Sequence, residues 1–98
     1  MDINFGLKVN AQDNVATVFA NGVQAGDMVI VRDKKGNEEE ILALNEIPYG
    51  HKIALYDITK GEPIVKYGEK LGVASAKIAK GAHVHVQNLE SVRGRGDL

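Results

Sequence analysis

Apolar residues along this chain come in short bursts, separated by polar turns and by glycine. One pattern recurs: an apolar residue, two others, Gly, two others and a second apolar residue. It runs Val23–Gly26–Val29, Ile47–Gly50–Ile53, Ile58–Gly61–Ile64, Val65–Gly68–Leu71 and Ile78–Gly81–Val84, five copies within residues 23–84. Glycine tolerates positive φ, so each copy predicts a tight corner that delivers the chain into a new strand. The unequal spacing excludes a solenoid, whose repeats keep a fixed period. Between the corners, strands are predicted over residues 3–9, 28–32, 40–44, 52–56, 63–67, 71–75 and 82–87. In the first, Ile3, Phe5, Leu7 and Val9 share a face. Asp33-Lys34-Lys35-Gly36-Asn37 joins the second and third as a hairpin, with Gly36 at a positive-φ position. Pro63 restricts its strand to a proline at its start or to a sheet edge.

Two segments stand apart. Asp13 is placed to cap a short helix over residues 14–20, with Val15, Val18 and Phe19 on one side and Asn21-Gly22 as the stop, although Val15, Thr17 and Val18 also suit a strand. Residues 89–98, with Arg93-Gly94-Arg95-Gly96-Asp97, have no apolar period and read as a polar tail. The prediction is a mainly β fold with one short helix: a domain over residues 1–88 and a tail over 89–98.

Composition narrows the function classes. Ninety-eight residues suit a single domain with a modest core. Apolar residues make up 44% and charged residues 26%, too apolar for disorder. Twelve basic and 13 acidic side chains give a net charge of −1, which argues against nucleic acid as a partner. No cysteine is present, so thiolate metal sites and disulfides are ruled out. No apolar run approaches the roughly 18 residues of a membrane helix, and the first residues lack the pattern of a secretory signal. A cytoplasmic protein without membrane contact is the expectation. Exposed edges of so small a β domain need covering, by a partner or by another copy of the chain.

The three histidines carry the candidate chemistry. His51 follows the Gly50 corner, and His83 and His85 follow Gly81. In an extended strand, His83 and His85 project from one face and Val84 and Val86 from the other. Two such imidazoles can reach one divalent ion, or they are simply polar groups on a wet face. His51 suits a general acid or base, with a pKa of about 6.5 when unperturbed. Lys52 could pair with a substrate carboxylate, although strand geometry points neighbours 51 and 52 to opposite faces. Arg93 and Arg95 could form a carboxylate fork, or simply be solvated in the tail. No phosphate loop, dinucleotide fingerprint or nucleophile elbow is present.

The blocks Gly50-His51-Lys52-Ile53-Ala54-Leu55-Tyr56-Asp57-Ile58, Val65-Lys66-Tyr67-Gly68, Leu71-Gly72-Val73-Ala74 and Gly81-Ala82-His83-Val84-His85-Val86-Gln87-Asn88-Leu89 resemble the SAF domain of altronate and galactarate dehydratases. The likeness spans residues 4–88. It implies a small β-clip fold, either fused to a larger catalytic region or standing as a separate small subunit. It also implies a metal-assisted hydro-lyase that dehydrates a sugar acid to a 2-keto-3-deoxy acid, with His51 catalytic, His83 and His85 on a divalent metal (Fe2+ or Mn2+), and Lys52, Arg93 and Arg95 on substrate. Family members frequently carry a histidine where Gln87 stands and an acidic residue where Lys77 stands. Ligands from the large subunit are therefore expected to complete the metal site. A similar relative, the small subunit of sulfolactate sulfo-lyase, eliminates sulfite instead of water. A non-catalytic binding or assembly module is the reading from another class.

Overall fold

The computed structural model describes residues 3–91. All regular structure within them is strand: β1 (Phe5–Leu7), β2 (Val15–Val18), β3 (Met28–Arg32), β4 (Glu38–Leu42), β5 (Lys52–Ala54), β6 (Pro63–Lys66), β7 (Glu69–Ala74), β8 (His83–Val84) and β9 (Leu89–Ser91). One sheet has the order β4-β3-β1-β2-β5-β8, with β1 and β3 parallel; a second has the order β6-β7-β9. The mainly β architecture expected from the sequence is the one observed.

Four of the five glycine copies make equivalent corners. The amide of Asp27 donates to Gln24 O, His51 to Pro48 O, Glu62 to Thr59 O and Ala82 to Ala79 O, each at 3.0 Å. Gly26, Gly50, Gly61 and Gly81 occupy the third turn position with φ between 82° and 94°, where a type II turn requires a left-handed residue. The corners meet in twos, through the bridges Val23↔Ile47 and Ile58↔Ile78. The Val65–Gly68–Leu71 copy is built differently. Tyr67 (φ 56°) and Gly68 (φ 78°) form a two-residue hairpin turn between β6 and β7, with Lys66 paired to Glu69.

Residues 14–20 do not form the expected helix. Val15–Val18 is a strand between β1 and β5, and all four residues are buried. Its β-branched side chains pack on both sides, and that burial outweighs the local helix signals. Asp13 caps a loop instead. Its carboxylate accepts from the amides of Val9, Asn10 and Gly68 at 3.1, 3.0 and 2.7 Å.

Three further expectations change. In β1 the buried residue is Gly6, whereas Phe5 and Leu7 are half-buried and Ile3 is exposed, so the core faces the side opposite to the one predicted. The strand expected over residues 82–87 ends at Val84, and Val86 is 80% exposed. The chain turns there because Asn88 grips both ends of the bend: Oδ1 accepts from the His85 amide, and Nδ2 donates to His83 O. Finally, Leu89–Ser91 falls within the predicted tail but pairs with β7 as β9, and Leu89 packs on the core. Arg93 and Arg95 lie outside the described residues.

The core has two clusters. One gathers Ala16, Val18, Val23, Val29, Val31, Ile41, Ala43, Ile47, Ile53 and Leu55; the other gathers Val15, Ala54, Ile58, Ile64, Ala74, Ile78 and Val84. β2 and β5 contribute to both clusters, so the strand that follows His51 is anchored on both sides.

Candidate metal centre

Antiparallel pairing of β5 with β8 matches Lys52 to Val84 and Ile53 to His83. One step further along the same register sets residue 51 opposite residue 85. The rings follow this placement. His51 and His85 stack with centroids 3.8 Å apart and planes 16° apart. His51 and His83 are joined by a 2.8 Å contact between Nδ1 and Nε2, with centroids 5.1 Å apart and planes 17° apart. That centroid spacing is the hydrogen bond plus about half a ring on each side, so the two rings lie nearly edge to edge in one plane. His83 and His85 are 5.9 Å apart.

One ligand nitrogen from each ring lies within 4.8 Å of the others, and all three side chains are half-buried. Three imidazoles are a suitable donor set for a first-row divalent ion. The Nδ1 atom of His85 is buried without a hydrogen-bond partner, and a bound ion would satisfy such an atom. The residues present therefore fit a metal. Ligation through His83 Nε2 has to replace its contact with His51, because a nitrogen holding a proton has no lone pair to give.

The surroundings of His83 and His85 favour their neutral forms. Burial first, and then the nearby positive charges of His51, His85 and Lys52, push the His83 pKa below its ordinary 6.5, with Glu46 opposing. His85 is lowered by burial, then by His51 and Lys52. Lys52, half-buried in β5, is itself lowered, first by burial and then by the charge of Lys66. Its charge is thus felt at the histidines, although its Cα neighbours His51 on a strand of alternating direction. The Tyr67-Gly68 turn stands close by, since the Tyr67 hydroxyl contacts Thr17 Oγ1 at 3.2 Å and Thr17 pairs with Lys52.

Sequence reasoning separated His51, as an acid or base, from His83 and His85 as ligands; the fold gathers all three in one cluster. Asn45 was not singled out, yet its Oδ1 accepts from the His83 amide at 3.0 Å and ties β8 to the segment before the Gly50 corner. No spacing signal could have found it, since the two residues are 38 positions apart. Gln87, noted in the sequence as a departure from the family pattern, has its Nε2 3.2 Å from His83 Nδ1. A hollow of about 310 Å³ lies elsewhere, between residues 8–11 and the 33–37 loop.

The chain is similar to known proteins over nearly all of its described residues. The altronate/galactarate dehydratase SAF domain matches residues 4–92. Altronate dehydratase of Escherichia coli is 35% identical over 82 residues, which are 84% of this chain and 15% of that enzyme. Galactarate dehydratase (L-threo-forming) of E. coli is 38% identical over 81 residues, 14% of its length. The (2R)-sulfolactate sulfo-lyase subunit alpha of Chromohalobacter salexigens is 33% identical over 96 residues, covering 95% of this chain and 99% of that subunit. This chain thus spans about a seventh of the dehydratases and nearly all of the sulfo-lyase subunit. Among the described residues, no helix is long and apolar enough to cross a membrane. The glycine corners, the histidine cluster they position and these matches together identify the chain as a member of the altronate/galactarate dehydratase SAF domain family.

Proposed function

We propose that this chain is the small component of a two-part hydro-lyase that converts a sugar acid, such as altronate or galactarate, to a 2-keto-3-deoxy acid in the cytoplasm. The convergence of His51, His83 and His85 into one half-buried cluster carries this reading. Dehydration needs a base for the proton α to the carboxylate, stabilisation of the enediolate charge and an acid for the departing hydroxyl. His51 is assigned the proton at C2. The electron pair of the broken C2–H bond becomes the second bond between C2 and C3 as the C3–O bond breaks, and the hydroxyl leaves as water after taking a proton from an acid. The enol product then reverts to the 2-keto acid. Lys52, whose ammonium group is desolvated, pairs with the substrate carboxylate, joined by Arg93 and Arg95. His83 and His85 would hold a divalent ion, Fe2+ or Mn2+, with further ligands from the large subunit. When bound there, the ion would supply Lewis-acid stabilisation of the enediolate.

A second reading, with sulfite departing from C3 in place of water, is favoured by the near-complete coverage of the sulfo-lyase subunit alpha. Reconstitution separates the two. The chain is mixed with its large partner and assayed on altronate, galactarate and sulfolactate, with and without the double variant His83→Ala/His85→Ala. The expected result is turnover of one substrate class, dependent on this chain and lowered at least about 100-fold in the variant. Undiminished turnover by the large partner alone would overturn the proposal, and unchanged turnover by the double variant would make this chain a non-catalytic module.

A further inference from the structure

Gln87 sits at the outer edge of the cluster, past the end of β8. Its Nε2 lies 3.2 Å from His83 Nδ1 and donates to His83 O at 3.3 Å. The same carbonyl accepts from Asn88 Nδ2 at 2.9 Å. A main-chain carbonyl only accepts, so it orients the Gln87 carboxamide: turning the amide over would press Oε1 against the carbonyl oxygen. With Nε2 held there, the ring atom beside it must also accept. A neutral His83 then carries its proton on Nε2, and that N–H donates across 2.8 Å to His51 Nδ1. The three groups form one directed chain of donors, from Gln87 to His83 to His51.

This direction opposes metal binding. The His83 nitrogen that faces His51 is occupied by a proton, whereas the nitrogen with a lone pair is covered by Gln87. A ligating histidine ordinarily donates its outer N–H to a carboxylate or carbonyl, which leaves the inner nitrogen free for the ion. Gln87 presents the reverse partner.

We propose that Gln87 is a positioning residue that weakens cation binding at the histidine cluster by fixing the His83 proton on Nε2, so that loading requires the Gln87 side chain to leave His83. This rests on the reading of the cluster as a metal site. The test is Co2+ titration of the intact chain, followed by visible absorption, alongside 15N imidazole spectra of the metal-free protein. Wild type is compared with Gln87→Glu, Gln87→Leu and His83→Ala. Glu offers an acceptor to Nδ1–H and is expected to tighten Co2+ binding about 10–100-fold. Leu removes the donor without adding a ligand, and is expected to tighten binding severalfold. The metal-free wild type is expected to show His83 protonated on Nε2, and Gln87→Glu on Nδ1. Equal affinity in wild type and Gln87→Leu, with weakened binding in His83→Ala, overturns the role of Gln87 while leaving the metal site standing. Unchanged binding in His83→Ala overturns both.

Discussion

Asp13 is fully buried, and its carboxylate accepts hydrogen bonds from the amides of Val9, Asn10 and Gly68. Burial alone would raise its pKa, but the backbone amides outweigh burial and hold it below the ordinary 3.8. His83 and His85 are also displaced downward, from 6.5, chiefly by burial. The two effects act on stability in the same direction. As pH falls through about 6.5, the unfolded chain takes up protons on these histidines before the folded one does, so stability falls. Asp13 contributes stability above about 3.8, and that contribution is lost only as pH drops through its lower folded value. Acid should therefore weaken the fold in two stages, read as urea midpoints between pH 8 and pH 3. His83→Gln/His85→Gln should flatten the upper stage. Asp13→Asn should flatten the lower stage and cost about 2–4 kcal/mol at neutral pH, since bonds to charged groups are worth about 1.5–3 kcal/mol each. A single-stage profile in wild type would contradict this account.

At the scale of elements, the corners position the chemistry. Gly50 turns the chain immediately before His51, and Gly81 turns it two residues before His83. At Gly81 a side chain is excluded twice: φ is 89°, and a Cβ would collide with the Leu42 carbonyl oxygen. Gly81→Ala should cost about 3 kcal/mol or more, combining a strained left-handed alanine with displaced backbone. It should also separate His83 from His51, whereas Gly26→Ala, with open space around its Cβ, should cost only about 1–2 kcal/mol. Thermal melts of the two variants check the difference. These corners were legible in the sequence because glycine at a type II turn leaves a fixed local signature. The strand at Val15–Val18 was not, because Asp13, Asn21 and Gly22 give the same local signals as a short helix, and only burial between β1 and β5 decides the outcome. The end of β8 was equally hidden. His83 to Gln87 alternates like a longer strand, and the bend depends on the Asn88 carboxamide reaching both His83 O and the His85 amide.

At the scale of the molecule, His83 and His85 were readable as a pair from their spacing, but their meeting with His51, 32 positions from His83, depends on the register of β5 against β8. The division of the core follows the chain. One cluster draws on residues 16–55 and the other largely on residues 54–89, with the 47% exposed Tyr56 at the junction. Fragments ending and beginning at the Tyr56–Asp57 bond should each fail to bind Co2+ tightly, and mixing them should restore binding; tight binding by the second fragment alone would show that His83 and His85 are held in place without the first half.

The paired corners Val23↔Ile47 and Ile58↔Ile78 carry a consequence for how the rings are owned. His51 follows a corner of the first pair, and His83 and His85 follow a corner of the second. Custody of the cluster is therefore split between two similar halves of the polypeptide, and any slippage of one half against the other dismantles the imidazole triangle before either half has to unravel.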